Sequence, residues 1–170
     1  MLKQIAVATL SSLLISCTTP KQQYKVEYMS EPCLIPISSG KWKLCDNMIV
    51  RIDDSYHVVP MGFKTDLASI PRAIWWLYSP TDFKAISSSV LHDWHYCCSK
   101  DSDRMQSDDQ FYYGLIAQGM PKARASLYYS AVRLFGWPSF DNEKGIEKHK
   151  NEFDKDERQG VYDDVNAELG

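Results

Sequence analysis

Residues 92–96 read HDWHY and contain the side chains of this chain that are best suited to chemistry. His92 and Tyr96 are four residues apart, so on a helix they share one face, with Asp93 beside them. A second predicted helix, beginning near Arg104, can bring Asp108 against His92. An imidazole next to a carboxylate can accept a proton from water near neutral pH. The spacing therefore predicts a general base, His92, that is oriented by Asp108.

Two further carboxylates give this cluster the chemistry of a metal site. Hard divalent cations prefer carboxylate oxygens, so an ion beside the imidazole could be held by Asp93 and Asp66. A structural role stays open for the same cluster. His92 can be a core histidine bonded to a carboxylate, and Asp66 can cap the helix predicted to begin near Ser69.

The residues next to the cluster are expected to be less important. His95 lies on another face of the helix from His92 and is expected at the surface or in packing. Of the adjacent Asp108 and Asp109, one is expected to point inward and the other outward. Phe111 must be buried, and its spacing from Asp108 favours Asp108 as the inward residue.

The elements that must position these side chains change type along the chain. Alternating apolar and polar residues predict an antiparallel meander of strands, at 24–29, 41–45, 48–52 and 56–60. Helical spacing and capping residues predict helices near 69–78, 82–98, 104–118 and 122–135. The predicted fold class is α+β: a small N-terminal antiparallel β-meander, then a helical half with an antiparallel helix pair that carries the His/Asp site. The core candidates are Trp75, Trp76, Trp94, Phe111, Tyr112, Leu115, Leu127, Val132 and Phe135.

Length and charge limit the classes of function. The chain has 170 residues, which fits one α+β domain, predicted at 24–137, followed by a charged tail at 138–170. The net charge of −3 argues against a nucleic-acid partner, because such proteins neutralise phosphates with excess Lys and Arg.

The N-terminus is predicted to be a targeting segment, with a signal peptide at 1–16 and a polar tether at 17–23. Lys3 precedes an apolar run, and the run ends in LISC at residues 14–17. This ending resembles the bacterial lipobox, which implies lipid attachment at Cys17 and a membrane partner through the anchor. Because Thr18 is not aspartate, the resemblance implies the host outer membrane, with the domain facing the periplasm.

Four cysteines follow the leader, and the oxidising periplasm would make them disulfide candidates: Cys33, Cys45, Cys97 and Cys98. Three pairings are open. We expect either one bridge from the Cys33/Cys45 region to the Cys97/Cys98 pair or a Cys33–Cys45 bridge alone, and we favour the vicinal pairing least.

Four sequence blocks resemble a family of unknown function that is common in phage and prophage genomes. The blocks are GFKTDLASIPR at 62–72, HDWHY at 92–96, R-x-x-x-D-x-x-F at 104–111 and AVR-x-x-G at 131–136. The resemblance covers roughly residues 40–137. It implies a phage or prophage origin and carries no established activity.

The HDWHY block also resembles the His-Asp-x-x-Tyr helix of secreted phospholipases A2. This resemblance implies that His92 is the base, Asp93 a calcium ligand, Asp108 the orienting carboxylate and Tyr96 a hydrogen-bond donor to Asp108. The glycine-rich calcium loop of those enzymes is missing here, and Asp66 would have to replace it.

Two functions are therefore predicted. One is a lipid-anchored, metal-assisted hydrolase of an envelope ester or amide, with phospholipid as the nearest analogy. The other is a non-catalytic, periplasm-facing lipoprotein that binds an outer-membrane protein or the DNA-injection machinery and excludes a second phage.

Overall fold

The computed structural model describes residues 19–38, 40–67, 82–98 and 103–140. Cys17, the helix predicted near 69–78 with Trp75 and Trp76, and most of the charged tail lie outside these residues. In the described residues, six short strands precede three helices: β1 (Val26–Tyr28), β2 (Leu34–Ser38), β3 (Lys41–Leu44), β4 (Met48–Ile52), β5 (Ser55–Val59), β6 (Lys64–Thr65), α1 (Phe83–Cys97), α2 (Arg104–Ala117) and α3 (Lys122–Phe135). The predicted α+β class is confirmed.

The strands form two antiparallel sheets, and the expected single meander is wrong in this respect. One sheet has the order β1-β4-β5 and the other β2-β3-β6. The division falls after β3. There the backbone N–H of Cys45 donates to the carbonyl of Cys33 at 2.9 Å, and the two residues form a disulfide. These contacts hold β3 to β2, a strand that was not predicted, and β4 pairs with β1 and β5 instead.

The helices begin where the sequence predicts, because carboxylates cap their free N–H groups. Asp82 accepts a hydrogen bond from the backbone N–H of Lys84 at 3.1 Å, and Asp103 accepts one from Gln106 at 2.8 Å. α3 follows Pro121, whose missing N–H costs nothing at a helix start. A single 3-10 turn at Trp137–Ser139 follows α3.

α1 and α2 form the predicted antiparallel pair. Ser88, near the start of α1, lies against Gly114, near the end of α2, whereas Tyr96, near the end of α1, contacts Asp108. A Cβ on Gly114 would lie 2.9 Å from the Ser88 hydroxyl and 2.5 Å from that of Tyr28. Glycine therefore lets α1, α2 and β1 approach closely.

α1 lies between two groups of buried side chains. One group joins the strands to α1 and includes Leu44, Val50, Phe63, Leu91 and Trp94. The other joins the three helices and includes Phe111, Leu115, Tyr128, Tyr129 and Val132. The prediction that Leu127 and Phe135 are core residues is wrong, since they are 37% and 49% exposed. Leu127 lies off the buried i, i+3, i+4, i+7 face of α3, and Phe135 is the last residue of that helix.

The cysteines pair with their neighbours in the sequence. Cys33 bonds to Cys45, and Cys97 bonds to Cys98. The expected bridge between the two regions is therefore wrong. The Cys33–Cys45 bridge, the other expectation, is present, but not alone, because the vicinal pairing that we favoured least is present too. Cys33 and Cys45 meet across the β2–β3 hairpin, which leaves Cys97 and Cys98 to each other at the end of α1. Among the described helices, none is long and apolar enough to cross a membrane.

Candidate functional site

The structure brings His92, Tyr96 and Asp108 together at the α1–α2 interface. The Nε2 atom of His92 lies 2.8 Å from Oδ1 of Asp108, and the hydroxyl of Tyr96 donates to the same oxygen at 2.5 Å. His92 and Tyr96 are one helical turn apart, and their ring centroids are separated by 4.0 Å. One carboxylate oxygen thus fixes both rings of the α1 face.

The other oxygen of Asp108 is paired with arginine. Nη1 of Arg133, on α3, donates to Oδ2 at 2.7 Å, and Nε of Arg104 lies 4.0 Å from it. Asp108 is fully buried, and a buried carboxylate needs such compensation. Arg104 also donates to the carbonyl of Val132 at 3.1 Å near the end of α3. Sequence reasoning missed Arg133, although it stands in the AVR-x-x-G block.

These partners keep Asp108 ionised. Burial raises the pKa of the Asp108 carboxyl. His92, and then the hydrogen bonds of Tyr96 and Arg133, lower the pKa by more than burial raises it, so it lies below its ordinary value. Burial and the Asp108 charge raise the pKa of Tyr96. At neutral pH the site therefore contains a carboxylate that accepts hydrogen bonds and a phenol that donates one.

Aromatic rings enclose His92. Its ring lies 4.0 Å from that of Tyr96 and 4.8 Å from that of Phe111, centroid to centroid, and only 6% of the residue is exposed. Phe140, after the 3-10 turn, packs edge-on against Tyr96 at 5.2 Å. His92 is therefore largely shielded from solvent.

Asp93 is anchored to the end of β6. The hydroxyl of Thr65 donates to Oδ2 of Asp93 at 2.5 Å and accepts a hydrogen bond from the N–H of Leu67 at 2.9 Å. Asp66, which lies between Thr65 and Leu67 in the sequence, is exposed. Within the described ranges, no group of three or more His, Cys, Asp or Glu residues is placed to hold a metal ion. The calcium site at Asp93 and Asp66 stays a prediction, and Thr65 is a neighbour that sequence reasoning missed.

Asp109 also points inward, so the expectation that it faces solvent is wrong. It is 1% exposed and accepts a hydrogen bond from the hydroxyl of Tyr129 at 2.7 Å. Its other oxygen accepts from the backbone N–H groups of Lys21 and Gln22, each at 3.1 Å. α3 and the segment before β1 cover this side of α2, which the local spacing could not reveal.

His95 is buried in packing and not at the surface. It is 1% exposed, and neither ring nitrogen has a hydrogen-bond partner among the described residues. Its ring packs edge-on against that of His57 on β5, with 5.2 Å between centroids. Burial lowers the pKa of His95 well below its ordinary value, and His57 and His92 lower it further. His95 is therefore uncharged at neutral pH.

The protein is thus an α+β domain. The buried carboxylate of Asp108 joins its three described helices beside the enclosed His92. The chain belongs to a family described as proteins of unknown function, DUF1353, whose match covers residues 42–132, more than half of the chain.

Two uncharacterized proteins of Sinorhizobium fredii are similar to part of the chain. The first, y4jT, is 35% identical over 79 residues, which cover 46% of this chain and 23% of that protein. The second, y4iH, is 36% identical over 74 residues, which cover 43% of this chain and 30% of that protein. The chain thus spans less than a third of the length of either relative. No solved structure matches the chain. The phage origin and the lipoprotein leader stay predictions.

Proposed function

We propose that the domain is a hydrolase in which His92 is the general base and Asp108 sets its orientation. The 2.8 Å contact between His92 Nε2 and Asp108 Oδ1 carries this proposal. A carboxylate that holds one ring nitrogen keeps the proton there and leaves the other nitrogen, Nδ1, free to accept a proton. Tyr96 and Arg133 support the arrangement because they hold the same carboxylate in place.

The reaction that suits this geometry is hydrolysis of an ester or amide. Nδ1 of His92 takes a proton from water as the water oxygen bonds to the acyl carbon. The tetrahedral intermediate then re-forms the carbonyl and breaks its bond to the leaving group, which takes the proton from the imidazolium. Asp108 remains a carboxylate throughout and stabilises the positive charge on His92. General-base catalysis of this kind contributes about 10²–10⁴-fold to the rate.

The proposed substrates are esters or amides of the bacterial envelope, with phospholipid first. A lipid on Cys17 would hold the domain at the outer membrane, facing the periplasm, where phospholipid is abundant. Calcium bound at Asp93 and Asp66 is part of the proposal, although no step above depends on it. Added Ca²⁺ should then raise the thermal midpoint of the chain, and Asp93→Asn should abolish that rise.

The test is fatty-acid release from phospholipid vesicles by the full chain, with and without Ca²⁺. The informative variant is His92→Gln, because its amide nitrogen can still donate to Asp108 while the base is lost. We expect at least a hundredfold loss of activity with an almost unchanged thermal midpoint. Asp109→Asn is the matched control, since Asp109 is a buried carboxylate that binds Tyr129 and not His92. It should lower stability and retain the activity of the folded fraction.

A second candidate is a non-catalytic envelope lipoprotein that acts by binding, for example in exclusion of a second phage. It is favoured by two observations: Asp108 contacts α1 and α3 at once, and His92 is only 6% exposed. In that case the cluster is a structural clamp. Absence of acyl hydrolysis in the wild-type chain would favour this candidate. Full activity in His92→Gln would instead exclude His92 as the base and point to a hydrolase that uses another group.

A further inference from the structure

The outer face of the β2-β3-β6 sheet combines lysine and isoleucine. Residues opposite each other on paired strands share a face, and Ile35 lies opposite Lys43, which in turn lies opposite Lys64. The alternate row contains Leu34 and Leu44, which pack into the core. The Ile35–Lys43–Lys64 row therefore points away from the core.

The tip of the β2–β3 hairpin extends this face. Lys41 is two residues before Lys43 on β3 and is exposed, so it continues the lysine row. On β2, Ile35 and Ile37 are 42% and 44% exposed. The Cys33–Cys45 disulfide joins the two strands at the opposite end of the hairpin. We call Ile35, Ile37, Lys41, Lys43 and Lys64 the lysine–isoleucine face.

The charge of this face is opposite to that of the chain. The chain has a net charge of −3, but the three strands contain three lysines and no acidic residue. Asp66 follows β6 and leaves the local balance positive. Neither Lys41 nor Lys43 forms a salt bridge with another residue of the described ranges. A negatively charged partner would be attracted to this face despite the overall charge.

The backbone of β2 argues against an added β-strand as that partner. β2 is an edge strand of its sheet, but Pro36 at its centre has no N–H to donate. The pairing is also irregular between Pro36 and Ser38. An edge-strand proline and an irregular register both hinder the pairing of another strand at a sheet edge. The partner must therefore be recognised by side chains, with charge and apolar contact together.

We propose that the lysine–isoleucine face docks on an anionic phospholipid bilayer. Lys41 and Lys43 would lie among the lipid phosphates, and Ile35 and Ile37 would enter the boundary between headgroups and acyl chains. Each lysine near an anionic bilayer contributes about fivefold to binding. This inference does not depend on the hydrolase proposal, because it uses none of its residues.

The test is hydrogen–deuterium exchange of the full chain on vesicles of phosphatidylcholine alone or mixed with phosphatidylglycerol. We expect residues 34–44 to exchange more slowly on the mixed vesicles. Neutralising both charges in Lys41→Gln/Lys43→Gln should weaken binding about 25-fold, at about fivefold for each lysine, and bring exchange to the phosphatidylcholine level. Local exchange reports the hairpin itself, even where another part of the chain anchors the protein.

One control tests the effect of lost positive charge elsewhere on the chain, and another tests the effect of lost apolar surface. Lys122→Gln removes one positive charge at the start of α3 and should retain the slower exchange of residues 34–44. Ile37→Ser should weaken this protection, whereas Leu134→Ser, which removes an exposed apolar side chain from α3, should not. Equal exchange of residues 34–44 on both kinds of vesicle would overturn the proposal. So would protection that survives Lys41→Gln/Lys43→Gln, or protection that appears only with an added acidic protein.

Discussion

The carboxylate of Asp108 is buried in the helical half, and its donors come from α1 and α3. His92 and Tyr96 share one oxygen, and Arg133 binds the other. A buried charge of this kind destabilises a protein when one of its partners is removed, because the remaining desolvation is no longer offset. The site is therefore coupled to stability, and variants must be chosen that separate chemistry from folding.

The Tyr96 hydroxyl provides a direct measure of that coupling. Tyr96→Phe removes one hydrogen bond to a charged acceptor, and we expect the free energy of unfolding to fall by about 1.5–3 kcal/mol in chemical denaturation. Tyr112→Phe is the control, since Tyr112 is buried nearby in α2 and no hydrogen bond of its hydroxyl is observed among the described residues. Equal losses in both variants would show that the Tyr96 bond adds no specific stability.

At this scale the sequence predicts the part of the site that is local. His92, Tyr96 and the choice of Asp108 follow from helical spacing. Arg133 comes from α3, and its approach depends on how α3 packs on α2, which no spacing within one helix encodes. The prediction that Asp109 faces solvent is wrong for the same reason, because its partner Tyr129 also belongs to α3.

α1 is the element on which the rest of the domain is organised. One side of it packs on the strands and the other on α2 and α3, so it links the two groups of core residues. The bounds of α1, α2 and α3 were predictable because Asp82, Asp103 and Pro121 mark their starts. The missed strand β2 contains Pro36, which is rare in central strands and tolerated here because β2 is an edge.

The α1–β5 contact predicts sensitivity to mild acid. Burial lowers the pKa of both His57 and His95, so the unfolded chain binds protons first as the pH falls below about 6.5. Stability should therefore be complete above that pH and decrease below it. Between pH 7 and pH 5, His95→Leu should reduce the slope of unfolding free energy against pH by up to about 1.4 kcal/mol per unit. An unchanged slope would contradict the buried, neutral state of His95.

At the scale of the whole molecule, the two disulfides should contribute unequally to stability. Cys33 and Cys45 are 12 positions apart and close a loop, whereas Cys97 and Cys98 are adjacent. Closing a loop of this length stabilises a fold by about 3 kcal/mol, chiefly through the unfolded state. Cys33→Ser/Cys45→Ser should therefore lower the unfolding free energy by roughly 2–4 kcal/mol, and Cys97→Ser/Cys98→Ser by much less. Equal losses in the two double variants would refute the loop argument.

The chemical proposal depends on which nitrogen of His92 carries the proton in the folded chain. The most direct measurement is ¹⁵N NMR of the histidine side chains near pH 7.5, with His92 assigned through its loss in His92→Gln. The account predicts a neutral ring with its proton on Nε2, shared with Asp108, and a bare Nδ1. A proton on Nδ1 would leave no base facing a substrate and would contradict the proposed hydrolysis.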